Sequence, residues 1–209
     1  MKTKNKAAGG IGRPREFDAE KALDRALEVF WRQGYEGSSL ADLTKAMGIN
    51  RPSMYAAFGD KETLFRRVLD RYEQGPSGFI RRALEEPSAR SAVELMFRGT
   101  IESLTDRKRP QGCLLVQGAL ACSKESEGIR QELIARRSAG EDAMKERFRR
   151  AKNEGELADN VDADALAEFY VTVLRGMGVQ AAGGASKKEL EQVAAMALKA
   201  WPEKPIPKR

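Results

Sequence analysis

LEVFWRQGYEGSSLADLTKAMGINRPSMYAAFGDKETL, residues 27–64, is the stretch of sequence that decides the fold. Apolar residues ahead of Gly34 recur at the three- and four-residue spacing of a buried helical stripe, and Gly34 is placed to end that helix. Ser38 or Ser39 can cap a second helix, and Gly48 can close it in the left-handed conformation. A third helix follows at once. Short helices joined at a glycine corner in this way predict a helix-turn-helix.

The third helix of this stretch carries polar or small side chains on one face and apolar ones on the other. Its inward positions are Met54 and Phe58, and its outward positions are Arg51, Ser53 and Ala56, with Pro52 and Tyr55 beside them. The guanidinium of Arg51 can bond O6 and N7 of a guanine together, so Arg51 is the best candidate for reading base sequence. We therefore predict that this helix lies in the major groove of DNA.

Three further side chains are suited to the phosphate backbone. Tyr55 can place its hydroxyl at the rim of the groove, and Ser39 stands at the start of the second helix. Lys61 falls in the first turn of the next helix, where backbone N–H groups already favour an anion. Contacts of this kind position a protein on the duplex without specifying sequence.

The pattern of residues 30–65 resembles the N-terminal domain of TetR-type transcriptional repressors. The shared positions are Phe30-x-x-x-Gly34-Tyr35-x-x-Ser38-Ser39, Leu43, Gly48-Ile49, Tyr55-x-x-Phe58 and Lys61-x-x-Leu64. The resemblance implies a homodimer of all-α subunits with an inducer pocket in the C-terminal domain. It also implies base contacts by Arg51, Pro52, Ser53 and Ala56, and phosphate contacts by Ser39, Tyr55 and Lys61.

Two positions depart from the family pattern. Thr44 stands where the family usually has Ala at a close helix crossing, and it is small enough to fit there. Ala57 stands where a His or an aromatic residue often meets a phosphate, so we expect that contact to be lost. The small Ala56-Ala57 pair leaves Arg51 with more of the readout than is usual.

A basic arm precedes the helical part of the chain. Five cations stand before the first acidic residue, Glu16, namely Lys2, Lys4, Lys6, Arg13 and Arg15. Gly12-Arg13-Pro14-Arg15 resembles the core of an AT-hook, and an extended Arg-Pro-Arg segment fits a narrow minor groove. A solvated tail is an equally good interpretation of the same residues.

Composition excludes several classes of protein. The chain has 209 residues, a net charge of +6 and no His, which removes the commonest general base and the commonest metal ligand. No apolar run is long enough for a signal peptide or a membrane span. Two Cys without an export signal are typical of a reducing cytosol. We expect a cytoplasmic protein that is not an enzyme and needs no cofactor or metal.

The second half of the chain has helical periods and no convincing alternating strand. We predict an all-α protein with a basic arm (1–15), a helix-turn-helix domain (16–74), a larger ligand-binding and dimerisation domain (75–201) and a flexible tail (202–209). Candidate lining residues of an effector pocket are Phe97, Cys113, Phe148, Phe169, Tyr170, Val173 and Met177. Aromatic residues and Met at helical spacing are more often plain core, so these assignments remain open.

The last two helical segments, residues 162–182 and 187–201, are predicted to form the dimer interface. The first offers Gly176 and Gly178 for close helix approach. The second carries an apolar stripe of Leu190, Val193, Ala194, Ala197, Leu198 and Trp201. Two such helices from each subunit would make a four-helix interface across a two-fold axis. The alternative is that the same helices form a bundle within one subunit.

Cys113 allows two interpretations. It is predicted near the N-terminus of a helix, where the helix dipole favours a thiolate, so a redox or electrophile sensor is one of them. A small buried apolar Cys is the one that we favour. Cys122 lies nine positions further on, so the two residues would stand on opposite faces of a continuous helix and could not pair within it.

The sequence as a whole therefore predicts a ligand-responsive transcriptional regulator. Its partners would be a double-stranded DNA operator, a small-molecule effector and a second copy of itself, with no membrane. One alternative is a constitutive architectural DNA binder that uses the basic arm. Another is an enzyme on an all-α scaffold, which the lack of His, paired catalytic carboxylates and a phosphate-binding Gly loop disfavours.

Overall fold

The computed structural model describes residues 17–120 and 124–202, and the regular secondary structure of this part of the chain is helical, without a strand. The prediction of an all-α fold is confirmed. A 3₁₀ turn, Lys124–Ser126, precedes the eighth helix. The helices are α1 (Ala19–Gly37), α2 (Leu40–Met47), α3 (Arg51–Phe58), α4 (Lys61–Gln74), α5 (Phe79–Leu84), α6 (Ala89–Thr105), α7 (Leu114–Leu120), α8 (Glu127–Asn153), α9 (Ala163–Ala182) and α10 (Lys187–Lys199).

Short polar side chains and glycines set the ends of the first helices. Ser39 caps α2 and Asn50 caps α3, each accepting the backbone N–H of the third residue that follows it. Gly48 has φ 71° and closes α2 in the left-handed conformation. Gly34, with φ 71° and ψ 178°, interrupts α1 one turn before its end. These residues give the chain its tight corners, and they place α3 at the surface.

The core of the N-terminal unit extends beyond that unit. Phe30, Tyr35 and Phe65 pack edge to face or stacked at its centre, with ring centroids 4.9–6.2 Å apart. Three buried residues from the second half of the chain complete the same cluster, namely Leu114 of α7 and Ile129 and Leu133 of α8. The chain turns at residues 75–78 after α4, but the apolar core continues across that turn.

A second core fills the C-terminal unit around Tyr170 of α9. Its ring lies 6.0–6.1 Å from Phe97 and Phe148 and 5.7 Å from Trp201. The Tyr170 hydroxyl donates to the carbonyl of Ala197, 3.1 Å away, which ties α9 to α10. In the described part of the chain, no helix combines the length and the apolar content that crossing a bilayer would require.

The α5–α6 contact depends on a glycine and provides a test of the packing. A Cβ added at Gly99 of α6 would lie 2.4 Å from Cδ2 of Phe79 in α5, so the ring would have to move. We expect Gly99→Ala to lower the free energy of unfolding by about 1–3 kcal/mol in urea denaturation. Gly128→Ala is the control, because that exposed helical glycine has nothing within 4 Å of the added atom. A Gly99→Ala protein as stable as the control would contradict the described α5–α6 packing.

Candidate DNA-binding surface and regulatory cavity

The outward face of α3 brings together the residues that the sequence predicts as base contacts. Arg51, Pro52 and Ala56 are exposed and Ser53 is half-buried, while Met54 and Phe58 on the opposite face are buried. Tyr55 is 47% exposed beside them. The helix therefore presents one polar surface to solvent and is held from behind by apolar contacts.

Both ends of α3 are fixed by neighbouring residues. At its start the Asn50 carboxamide oxygen accepts the Ser53 N–H at 2.8 Å, and Pro52 occupies the first turn, where its missing N–H leaves no bond unmade. At its end Arg67 of α4 donates to the Ala57 carbonyl at 2.9 Å, and its guanidinium lies 5.7 Å from the Phe58 ring centroid. The helix is thus positioned as a rigid element by α4.

Lys61, predicted to contact phosphate, is positioned by an aromatic ring. Its ammonium nitrogen lies 4.3 Å from the centroid of Tyr35, an attractive cation–π arrangement. Burial lowers the pKa of Lys61 from its ordinary value, and nearby Glu36 opposes that shift. Burial also raises the pKa of Tyr35 to about 12, so the ring beneath the lysine is a neutral phenol.

Ser39, also predicted to contact phosphate, is exposed at the start of α2 but already engaged. Its hydroxyl donates to the Asp42 carboxylate at 2.6 Å and accepts the Asp42 N–H at 3.1 Å. The Ser39 hydroxyl and the Ser39 backbone N–H, which donates to the same carboxylate at 3.2 Å, lower the pKa of Asp42 from its ordinary value. Arg13 and Arg15 of the predicted minor-groove arm lie outside the described residues, as does Cys122.

A cavity opens in the C-terminal unit and reaches Tyr72 of α4, and its wall includes residues of α4 to α9. It encloses about 890 Å³ when its open mouth is included. Most of the wall is apolar, with Met96, Val171 and Leu174 among its residues, and Cys113 contributes at the start of α7. Arg136, Arg137, Glu141 and Arg175 provide its charged groups.

The residues that the sequence offers as pocket candidates divide into three groups. Cys113 lines the cavity. Phe97, Phe148, Tyr170 and Met177 are buried in the second core, and Val173 packs partly buried against it. Phe169 is exposed on the outer surface of α9. Met96, Val171 and Leu174, which are adjacent in sequence to the candidates Phe97, Tyr170 and Val173, line the cavity instead. Helical periodicity identifies apolar positions but does not tell which of two apolar sides meets a cavity.

Two contacts join the DNA-binding unit to the cavity wall around Cys113. The Trp31 indole Nε1–H donates to the carbonyl of Gly112 at 2.9 Å, in a buried bond between α1 and the segment before α7. The Tyr72 hydroxyl of α4 donates to Cys113 Sγ at 3.6 Å. Burial raises the pKa of Tyr72 well above its ordinary value, and Cys113 adds to the rise, so the phenol stays protonated as the donor. Trp31 and Tyr72 pack edge to face, 4.9 Å apart.

Arg136 makes a third connection, between α8 and α4. Its guanidinium meets Asp70 at 2.8 Å and Glu73 at 2.6 Å on α4, and Glu132 at 2.7 Å on its own helix. Burial disfavours the charge, but hydrogen bonds to Glu132 and Asp70 and the surrounding carboxylates raise the pKa of Arg136 above its ordinary value. Because Arg136 also lines the cavity, the cavity wall and α4 share a charged network.

The residues predicted for the dimer interface lie on two sides of the last helices. Leu190, Ala194, Ala197 and Trp201 are buried within the subunit, and Leu198 packs partly buried beside them. Gly178 is buried as well, where an added Cβ would lie 3.1 Å from Cβ of Cys113. Val193 and Gly176 are exposed, with open space around Gly176. Within residues 17–120 and 124–202, no group of three or more Cys, Asp or Glu side chains is arranged to hold a metal ion.

Comparison with known families accounts for both halves of this architecture. Residues 22–68 match the profile of bacterial regulatory proteins of the tetR family, and residues 89–197 match that of the tetracyclin repressor-like C-terminal domain. The chain belongs to the tetR family. It is a DNA-binding transcriptional regulator, as the helix-turn-helix predicts.

Several relatives of this regulator match it over most of its length. The HTH-type transcriptional repressor ComR of Escherichia coli is 37% identical over 194 residues, 92% of each chain. The uncharacterised HTH-type transcriptional regulator YezE of Bacillus subtilis is 34% identical over 161 residues, 76% of this chain and 83% of that one. CifR, a TetR family transcriptional regulator solved as a cysteine mutant with 26-bp double-strand operator DNA, is 46% identical. Its match covers 91% of this chain and 100% of CifR, with a TM-score of 0.86.

The exposed Tyr55 hydroxyl gives a prediction for this regulator. If it donates to a phosphate, Tyr55→Phe should weaken binding to DNA of any sequence by about 1–3 kcal/mol, because a bond to a charged acceptor is lost. The loss should be equal for an operator selected from random duplexes and for a random duplex. Fluorescence anisotropy at fixed ionic strength measures both affinities. A loss confined to the operator would instead assign Tyr55 a role in base recognition.

Proposed function

We propose that this protein is a homodimeric repressor that reads a pseudo-palindromic operator with α3 and is released from it by a small molecule bound in the cavity. One observation carries the proposal. A polar α3 surface, fixed by α4, is connected through Tyr72 and Arg136 to the wall of a large apolar cavity. The named repressor ComR and the operator complex of CifR support the same function.

Operator recognition would divide between two sets of side chains. Arg51 would read a guanine, with Pro52, Ser53 and Ala56 against neighbouring base edges or a thymine methyl. Tyr55, Lys61 and Ser39 would bind phosphate oxygens and set the orientation of the helix. A contact from the Ser39 hydroxyl to a phosphate would require it to leave Asp42, to which it now donates. The basic arm, with Arg13 and Arg15, stays a prediction for the minor groove.

The proposed dimer would use the outward faces of the two helices that the sequence indicates. One row of exposed positions on α9 follows helical spacing and carries small or apolar residues, namely Ala165, Phe169, Thr172, Gly176 and Val179. On α10 the exposed apolar side chains Val193 and Met196 continue this surface. Pairing of the same surface across a two-fold axis would bury it in a four-helix interface. It would also hold two α3 helices about 34–36 Å apart, one turn of DNA.

Release would follow from a difference in the cavity between two conformations. A ligand can shift the protein only if it binds better to the conformation that does not fit the operator. An occupant of the cavity would contact Arg136, Cys113 and Tyr72. Tyr72 belongs to α4, Cys113 accepts its hydroxyl, and Arg136 pairs with Glu73 of α4. Movement of α4 would carry α3 with it, because Arg67 of α4 holds the C-terminal end of α3.

Base recognition by Arg51 is the direct test of this function. After selection of an operator from random duplexes, Arg51→Ala should weaken specific binding by about 1–3 kcal/mol and relax the preference at one position in each half-site. Arg81→Ala, at an exposed arginine of α5, is the control that removes an equal charge away from α3. Unchanged discrimination in Arg51→Ala would remove Arg51 from the readout. Uniform coating of all duplexes by the wild type would favour an architectural binder.

The Trp31–Gly112 bond gives a second prediction. Trp31→Phe keeps an aromatic ring against Tyr72 but leaves the buried Gly112 carbonyl without its indole donor, so the free energy of unfolding should fall by about 1–3 kcal/mol. Tyr72→Phe, which removes only the weaker bond to sulfur, should cost less. Urea denaturation of the two variants compares these losses. If Tyr72→Phe were the more destabilising, the indole bond would not be the stronger of the two contacts between the DNA-binding unit and the segment before α7.

A further inference from the structure

The cavity has a charged end where α8 faces α9. Arg137 and Glu141 reach it from α8, and Arg175 reaches it from α9. Arg136 also lines the cavity, but its guanidinium is directed to α4. The remaining wall is predominantly apolar and includes Met96, Val171 and Leu174. A site with an apolar body and a few polar groups at one end is built to orient an amphipathic molecule. The partners of each charged group show which charge that molecule should carry.

Two of the three arginines are already satisfied. Arg136 is surrounded by the three carboxylates of Asp70, Glu73 and Glu132. Arg175 donates to Glu141 at 3.0 Å and to the backbone carbonyl of Arg137 at 2.7 Å. Neither guanidinium lacks an acceptor, so neither by itself requires a ligand.

Arg137 is different. Across residues 17–120 and 124–202, no carboxylate lies within ion-pair distance of its guanidinium, and its side chain makes no hydrogen bond. Glu141, one helical turn further on, is the natural i,i+4 partner. Its two carboxylate oxygens are instead taken by Lys145 at 2.8 Å and by Arg175 at 3.0 Å. Arg137 is nevertheless half-buried at the cavity wall, and burial and then the charge of Arg175 lower its pKa from the ordinary value.

The charge immediately around Arg137 is therefore positive. The carboxylate of Glu141 pairs with Arg175 and Lys145 and not with Arg137, while Lys145 also lies near Asp142 and Glu168. Arg136 is offset by its own acidic partners. A guanidinium presents a planar set of donors that matches a carboxylate with two parallel hydrogen bonds. A half-buried arginine without a partner beside an apolar wall is thus complementary to an anion with an apolar body.

We propose that the cavity binds a small amphipathic carboxylate, with its anionic group on Arg137 beside Arg175 and its apolar body against Met96, Val171 and Leu174. This inference rests on the proposed function, since it assigns a chemical class to the effector. A single negative charge fits better than two, because one guanidinium lacks a counter-ion and each further buried charge would need its own. The volume within the cavity that the centre of a water-sized sphere can reach, the measure used for comparison with other cavities, is about 160 Å³. A cavity of about that size accommodates one small ring, such as benzene.

Phenylacetate and its uncharged analogue phenylacetamide are the matched probes, and acetate tests the charge without the ring. Isothermal titration calorimetry on the full chain should show phenylacetate binding about ten- to a hundredfold more tightly than phenylacetamide, since a charge-assisted bond is gained. Acetate should bind weakly. Arg137→Gln should bring phenylacetate to the level of the amide, and Arg137→Lys should retain part of the difference. Arg98→Gln, at an exposed arginine of α6, should leave the difference unchanged.

Three outcomes would overturn the inference. These are equal binding of phenylacetate and phenylacetamide, no binding of either up to millimolar concentration, or an Arg137→Gln protein that keeps the preference. Thermal unfolding of each variant establishes that it is folded. The operator assay separates this inference from the proposed function. Release by phenylacetamide as readily as by phenylacetate would leave the repressor intact and contradict the anion site. A protein that binds phenylacetate but no operator would contradict the repressor alone.

Discussion

The buried hydrogen bond from the Trp31 indole to the Gly112 carbonyl connects the two halves of this molecule. It spans 81 positions of sequence at 2.9 Å and lies beside Cys113, whose sulfur accepts the Tyr72 hydroxyl. Gly112 has φ +87°, a backbone conformation that strains any residue with a Cβ, so glycine is the residue suited to offering its carbonyl to the indole here. Through these two bonds, α1 and α4 contact Gly112 and Cys113, and Cys113 also lines the cavity. The DNA-binding surface and the cavity therefore share structural elements.

The charged groups of the cavity differ in what they can do. Arg136, with carboxylates on two helices, is a structural cross-link between α8 and α4. Arg137, its neighbour in sequence, has no such partner among residues 17–120 and 124–202, although both residues stand on the same helix. Adjacent positions on a helix point about 100° apart, so two consecutive arginines meet different surroundings. Arg136 links α8 to α4, and Arg137 is the arginine that we assign to a ligand.

Sequence alone was sufficient for the N-terminal unit because its signals are local. Ser39, Gly48 and Asn50 act within a few residues of their own position, and the cap and turn geometries that they predict are present. The family and its all-α fold followed from the same short stretch. The function of a DNA-binding regulator could be predicted there too, since the exposed face of one short helix determines it.

The C-terminal unit was harder to predict because its signals depend on distant packing. Leu190 and Val193 both belong to one apolar stripe, yet the first is buried in the subunit and the second is exposed. Periodicity finds apolar positions on α9 and α10 but cannot divide them between an internal core and an external surface. The arginines of the cavity gave no signal either, because most arginines on a helix are solvated. Their role became visible only when their partners were known.

The contribution of Leu114, Ile129 and Leu133 to the N-terminal core has an evolutionary consequence. If the chain were cut at the α4–α5 turn, the N-terminal unit would expose an apolar surface that these three side chains now cover. Exchange of C-terminal units between such proteins would then give a stable fold only where the new α7 and α8 fit the N-terminal unit that is retained. The two units are therefore expected to evolve together and not as interchangeable domains.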